Sequence, residues 1–171
     1  MVANLPYYVA APTLRLFLEA RAKPQQMIVM VQKEVAQRIL AEPGEMSLIS
    51  VSVQLYARPR LVTYVSNRCF YPVPKVESAV LCLDVYPRPT LELESIDIFF
   101  QVVRGGFSAP RMHLRNSLAQ GLGLPPERVA GLLETAGISH ERRPQTLSLD
   151  EWGQLYRAIA PELPVTSDAD H

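Results

Sequence analysis

The chain contains 171 residues, of which 48% are hydrophobic and 20% charged, and this balance excludes a disordered chain. Lys and Arg together number 17, as do Asp and Glu, so the net charge is zero and any surface that binds nucleic acid must be local. The two cysteines, Cys69 and Cys82, exclude a disulfide scaffold and favour a cytoplasmic protein, and no apolar run is long enough to cross a bilayer.

The beginning of the chain predicts a strand, a helix and a second strand. Val2 and Ala3 are typical of the end of a buried strand, and the polar turn 4–8 follows at once. Open α/β sheets place their chemistry at such strand ends. A helix is expected after Pro12, and the unbroken apolar run 27–31 predicts a central strand that is covered on both faces.

The middle of the chain continues this alternation. A helix is predicted over 35–40, and strands are predicted over 61–65 and 78–85. Segment 47–55 fits either element, because its apolar residues alternate as in a strand and also share a helical face; its β-branched residues favour a strand. Two prolines make 70–75 a rigid loop.

The rest of the chain predicts helices. They cover 96–103, 111–118, 125–133 and 148–159; Gly105-Gly106 and Gly121 end the first two, and a capping box at Ser148 opens the last. The fold class is therefore α/β followed by an all-α part. We expect domains at 1–88 and 89–161 and a flexible tail at 162–171.

The turn Asn4-Leu5-Pro6-Tyr7 carries chemistry suited to an adenine amine. The lone pair of that amine is delocalised into the ring, so a methylating site must engage its two N–H groups with acceptors. The Asn4 side-chain oxygen and the Leu5 carbonyl are such acceptors, Pro6 stiffens them, and Tyr7 can stack on the extruded base. The alternative for so short a motif is a polar turn with a packed tyrosine.

Phe70 is a second aromatic residue that could contact the base. It precedes Pro72 and Pro74, and two aromatic rings on rigid loops could hold one base between them. The alternative is a proline-rich turn whose phenylalanine packs in the core.

Basic residues gather in one stretch of the helical part. Arg104, Arg111, His113 and Arg115 occur without an acidic residue among them. Arg111 and Arg115 are four residues apart, which places them on one face of the predicted helix, where they could follow RNA phosphates. The alternative is a solvated helix face. The histidines and cysteines show no spacing typical of a metal site, so no metal is expected.

Taken in order, five segments resemble the ribosomal RNA adenine N6,N6-dimethyltransferase family. They are NLPYY, MVQKEVAQRI, FYPVPKVESAV, FSAPRMHLRNSL and TLSLDEW. The resemblance runs from residue 2 to about residue 160. It is greatest to the bacterial enzymes that dimethylate two adjacent adenosines of small-subunit (16S) rRNA. The relatives that confer macrolide resistance by modifying large-subunit rRNA rank second, because they usually lack the last two segments.

The resemblance implies a Rossmann-like methyltransferase that uses S-adenosylmethionine, acts in ribosome biogenesis on small-subunit rRNA or a pre-ribosomal 30S particle, and is a cytoplasmic monomer. It makes Asn4, Leu5, Pro6, Tyr7 and Phe70 the catalytic set. In the family the asparagine also lies near the methyl donor, segment 32–34 lies near the substrate side, and segment 47–55 is a helix. The helical part corresponds to an rRNA-docking domain, and the predicted RNA-binding residues are Lys75, Arg104, Arg111 and Arg115.

The sequence departs from the family in two places. Pro110 and Met112 stand where the family's basic helix usually has cations. We therefore expect this helix to bind RNA more weakly, or with a different footprint, than in the family. No Gly-rich cofactor loop or acidic ribose-binding residue precedes Asn4, so we expect the chain to be the C-terminal part of the enzyme and to bind S-adenosylmethionine poorly by itself. The alternative of another class is a non-catalytic RNA-binding or ribosome-assembly module. A DNA adenine methyltransferase is disfavoured by the helical part.

Overall fold

The structure, a computed structural model, describes residues 1–6 and 9–164. It divides into two compact units, Met1–Thr90 and a second unit that begins at Leu91. The domain boundary that the sequence predicts, between 88 and 89, lies close to this division.

The first unit is built on a four-stranded mixed sheet. Its strands are β1 (Val2–Asn4), β2 (Gln26–Gln32), β3 (Ala57–Val65) and β4 (Ser78–Val85). Their order across the sheet is β1-β2-β4-β3. β1 runs parallel to β2, whereas β4 runs antiparallel to both of its neighbours.

Three helices accompany the sheet: α1 (Ala10–Glu19), α2 (Lys33–Ile39) and α3 (Leu48–Gln54). Along β2, Met27, Val29 and Val31 are fully buried, whereas Ile28 and Met30 are only half-buried. The prediction that this strand is covered on both faces is therefore wrong, because side chains alternate between the faces of a strand and only one of these faces is fully covered.

β1 is an edge strand, so the prediction that Val2 and Ala3 belong to a buried strand is wrong. Among the described residues it pairs with β2 alone, and Val2 is 82% exposed rather than buried. Its short apolar sequence could not distinguish an edge position from a central one, because strand burial depends on which neighbours are present.

Segment 47–55 forms a helix, as the resemblance implies and against its β-branched residues. Ser47 and Ser50 form a capping box at its start. The Ser50 hydroxyl also donates to the Arg38 carbonyl at 2.6 Å, and the Gln54 amide donates to the carbonyls of Ile39 and Ala41 at 2.9 Å each. These bonds satisfy carbonyls at the end of α2, so tertiary contacts override the local preference.

The described part of the second unit contains four α-helices around a core that includes Phe99, Phe100 and Trp152. They are α4 (Ile96–Gly106), α5 (Leu114–Leu122), α6 (Pro126–Thr135) and α7 (Leu149–Ile159). The predicted capping box at Ser148 is present, with Glu151 as its second member. No helix within 1–6 and 9–164 is both long and apolar enough to cross a membrane.

The glycines that the sequence places at helix ends lie in the last turns of α4 and α5. A Cβ atom on Gly121 of α5 would lie 2.5 Å from the Gly105 backbone of α4, so these two glycines let the helices approach closely. α4 ends at Gly106 and α5 at Leu122, so the predicted ends at Gly105-Gly106 and around Gly121 lie within one residue of the observed ones. Gly123 caps α5, and its φ of 68° is the left-handed conformation that favours glycine.

The end of the described chain is held by contacts. Arg128 of α6 forms an ion pair with Glu162, and Leu163 is buried. These two residues belong to the predicted tail 162–171, whose residues 165–171 lie outside the described part.

Candidate active site and nucleic-acid interface

Three of the predicted segments meet at one edge of the sheet. Asn4, at the end of β1, pairs with Met30 near the end of β2. Gln32 ends β2 and pairs with Ser78 at the start of β4, which in turn pairs with Val65 at the end of β3. We call this set of strand termini the carboxyl edge. It comprises the ends of β1, β2 and β3 and the start of β4. It gathers the turn after β1, the β2–α2 junction and the β3–β4 loop.

Asn4 and Leu5 present acceptors at this edge. The Leu5 amide donates to the Met30 carbonyl at 3.1 Å, which extends the parallel ladder by one bond, and the Leu5 side chain is buried. Asn4 and Pro6 are exposed, and the Pro6 carbonyl accepts from Val9 as α1 begins. No hydrogen bond between described residues engages the Asn4 side chain or the Leu5 carbonyl. Neither acceptor is thus occupied by another described residue. Tyr7 lies outside the described residues, so its stacking role stays a prediction.

Phe70 lies in the β3–β4 loop, residues 66–77, and is half-buried rather than packed in the core. The loop begins with a short 3₁₀ helix, Asn67–Cys69, whose first turn is capped by the Ser66 hydroxyl. The Asn67 side-chain amide donates to the Pro74 carbonyl at 3.1 Å and so closes the loop. Strand spacing places β1 and β4 about 10 Å apart, so this loop and Asn4 border a common region of the carboxyl edge.

Lys33 links the β3–β4 loop to the β2–α2 junction through two contacts with Glu77. Its amide donates to the Glu77 carbonyl at 3.0 Å, and its Nζ lies 2.6 Å from the Glu77 carboxylate. The same Nζ lies 5.2 Å from the centre of the Tyr64 ring. The hydrogen bond from Lys33 to Glu77, followed by their charge attraction, raises the pKa of Lys33. The family resemblance implies that 32–34 lies near the substrate side, but no sequence pattern indicates this contact, because 44 residues separate the partners.

The helical unit does not arrange its arginines as predicted. Arg111 precedes α5 and lies in a turn in which the Met112 amide bonds to the Ala109 carbonyl, because α5 begins only at Leu114. The prediction that Arg111 and Arg115 share a helix face is therefore wrong. Arg115 is half-buried, and its Nε donates to the Asn116 side chain at 3.3 Å.

Arg104 of α4 and Arg111 are exposed, as is Lys75 in the β3–β4 loop. Arg142 instead serves the fold, because it pairs with Glu151 and donates to the Thr146 carbonyl at 2.6 Å. The described residues contain no group of three or more His, Cys, Asp or Glu side chains that could hold a metal ion.

Two solved structures share the architecture. A dimethyladenosine transferase from Plasmodium falciparum matches with a TM-score of 0.80 at 23% identity, over 94% of this chain and 66% of that one. The 23S rRNA methyltransferase ErmE matches with a TM-score of 0.66 at 24% identity, over 93% and 64%. The fold is thus α/β of the Rossmann-like methyltransferase type, and the predicted fold class is confirmed.

The chain belongs to the ribosomal RNA adenine dimethylase family, whose pattern it matches over residues 1–160. Similar proteins described as ribosomal RNA small subunit methyltransferase A occur in Dehalococcoides mccartyi, with 46% identity over 155 residues, and in Desulfitobacterium hafniense, with 41% over 165. The alignments cover 91% and 95% of this chain but 53% and 59% of those proteins. The chain therefore spans about half the length of the curated relatives it matches. The resemblance inferred from the sequence is confirmed.

Proposed function

We propose that this chain forms the substrate-holding part of an S-adenosylmethionine-dependent enzyme that dimethylates N6 of two adjacent adenosines in small-subunit rRNA. Its partner is that rRNA or a pre-ribosomal 30S particle, and it acts in the cytoplasm as a monomer in ribosome biogenesis. The observation that carries the proposal is the pair of acceptors at the end of a parallel strand, Asn4 and the Leu5 carbonyl, which bond to no other described residue. Family membership and the names of its relatives support it.

The two acceptors determine what the site does to an adenine. Each accepts one N–H of the exocyclic amine, which turns the nitrogen lone pair away from the ring and toward the methyl donor. Leu5 is fixed by its ladder bond and its buried side chain, so its carbonyl is held before substrate arrives. Such preorganised acceptors favour the transition state over the ground state.

When bound, S-adenosylmethionine supplies an electrophilic methyl group on a sulfonium centre. Asn4 fits a position beside it, because its exposed amide lies at the carboxyl end of a parallel strand, where open α/β sheets bind ligands. The cofactor contact that we propose for this chain is made by Asn4.

We assign base contacts to two aromatic rings of the first unit, and RNA-phosphate contacts to cations of each unit taken separately. Phe70 covers one face of the target adenine, and Tyr7 stacks on the other. Lys75 beside the carboxyl edge, and Arg104, Arg111 and Arg115 in the helical unit, contact RNA phosphates.

The test is methyl transfer by the longest product of the gene that encodes these residues. Substrates are small-subunit particles from cells that lack this modification, with labelled S-adenosylmethionine. Asn4→Ala should lower turnover by at least about 100-fold, because it removes an acceptor used in the transition state. RNA binding should stay unchanged. Asn4→Asp keeps an acceptor oxygen at the same position and should retain more turnover than Asn4→Ala.

Other results would point elsewhere. Full methylation by the Asn4→Ala protein would refute the role of Asn4. Binding of rRNA with no transfer, even by the unaltered gene product, would favour the non-catalytic assembly module. In a parallel assay that offers large-subunit rRNA as the substrate, label that enters it, with none entering the small-subunit particles, would favour the macrolide-resistance type of enzyme.

A further inference from the structure

The β3–β4 loop exposes an aromatic ring that the fold does not use. Tyr71 is 100% exposed, and Val73 and Val76 on the same loop are 59% and 42% exposed. The ring of Tyr71 gains nothing from packing within its unit. A large exposed aromatic side chain next to a candidate site is typical of a surface that binds a ligand.

The charge around this ring selects the class of ligand. In the β3–β4 loop, residues 66–77, the cations are Arg68 and Lys75, and the one carboxylate, Glu77, is paired with Lys33. Neither Arg68 nor Lys75 forms an ion pair with a described residue. Arg68 and Lys75 therefore keep their charge available on either side of Tyr71. Basic groups that flank an exposed aromatic ring are the arrangement by which proteins bind single-stranded nucleic acid.

The backbone that carries Tyr71 is held in place. Pro72 and Pro74 fix two φ angles, the Asn67 side chain bonds to the Pro74 carbonyl, and Glu77 is bound twice by Lys33. A ring on such a loop loses little conformational freedom when a base stacks on it. The loop also lies at the carboxyl edge, the edge that holds Asn4.

We propose that Tyr71 stacks on a base next to the target adenosine and that Arg68 and Lys75 hold the phosphates on either side of that nucleotide. This inference rests on the proposed function and extends it by a second base-binding position in single-stranded RNA. The position is separate from the pocket for the target base, which Phe70 is proposed to line.

The test measures binding by the chain itself, without cofactor or turnover, so its result does not depend on the Asn4 experiment. The probe is a ten-nucleotide oligoadenylate that carries one internal 2-aminopurine, whose fluorescence falls when it stacks. Tyr71→Ala should weaken binding by about tenfold and reduce the quenching. Tyr71→Phe keeps the ring and should bind within about twofold of the unaltered chain. Val73→Ala, on the same loop, is the matched control and should change nothing.

A second probe separates stacking from other losses. It is a fully abasic ribose-phosphate oligomer of the same length, and on it Tyr71→Ala should have no effect, because no base is present. Equal losses on both probes would overturn the stacking role. Unchanged affinity of Tyr71→Ala for oligoadenylate would also overturn it, as would the absence of binding by the unaltered chain at about 100 µM, where even non-specific complexes form. Circular dichroism spectra check that each variant is folded.

Discussion

Lys33 holds Glu77 at two points, through its amide on the Glu77 carbonyl at 3.0 Å and through its ammonium group on the Glu77 carboxylate at 2.6 Å. The first contact is independent of side-chain identity, whereas the second needs opposite charges. Lys33→Met should therefore leave the sheet intact and loosen only the β3–β4 loop. We expect severalfold faster amide hydrogen exchange over residues 66–77, measured by mass spectrometry.

A neighbouring ion pair gives the matched control for that variant. Arg38 on the same helix pairs with Glu34 at 2.5 Å, and that pair is also exposed. Arg38→Met should leave exchange in the β3–β4 loop unchanged. The exchanged pair Lys33→Glu with Glu77→Lys should restore slow exchange, and its failure to do so would refute the charge attraction as the fastening contact.

The close approach of α4 and α5 predicts opposite effects of the same substitution at two glycines. Gly121→Ala would place a Cβ atom 2.5 Å from the Gly105 backbone and should destabilise the protein by about 2 kcal/mol. Gly131→Ala in α6 meets no atom within 4 Å and should stabilise it by about 0.5–1 kcal/mol, because alanine favours helices over glycine. Urea denaturation measures both. Equal effects at the two sites would contradict the packing argument.

Substitution of Arg142 and of Arg143 should affect stability differently, although the two residues are adjacent and of the same type. Arg142→Met removes the ion pair with Glu151 and the bond to the Thr146 carbonyl, and should cost about 1.5–3 kcal/mol. Arg143 is exposed and forms no ion pair with a described residue, so Arg143→Met should change stability little. The hydrogen bond from Arg142 lowers the pKa of Glu151. The cost of Arg142→Met should therefore shrink as acid protonates Glu151, which denaturation at decreasing pH would detect.

Asp84 makes a second pH-dependent contribution, on β4. A hydrogen bond from Arg60 and then one from Gln26 lower the pKa of Asp84 from 3.8 to about 2. A lowered pKa stabilises the folded state above the unfolded value, and this stabilisation is lost as the pH falls through the folded value. Asp84→Asn should therefore be less stable than the unaltered chain above pH 4, with the difference vanishing near pH 2. Glu42→Gln, an exposed change outside any described ion pair, is the control.

Sequence patterns correctly predicted the elements that are stabilised by residues close together in the chain. The sequence predicted β4 at its observed bounds and the capping box at Ser148, because strand alternation and capping each involve residues close together in the chain. It erred at Val2, whose burial depends on what another element places opposite the residue. It also set the start of α5 too early, at Arg111 rather than Leu114.

The same distinction between local and long-range contacts applies to the candidate site. The acceptors at Asn4 and Leu5 follow from a motif of adjacent residues, and the structure places them at the end of β1 as expected. The link between Lys33 and Glu77 spans 44 residues, and only the register of β2 and β4 brings the two together. Spacing within the sequence carries no sign of such a contact.

Because β4 runs antiparallel to its neighbours, the segment that carries Phe70 and Tyr71 is the turn of a hairpin rather than a crossover between parallel strands. Residues can be added to or removed from the tip of a hairpin without shifting the strands or helices beside it. Evolution or an engineer can therefore change the loop that we propose to contact substrate while the acceptors at Asn4 and Leu5 stay where they are.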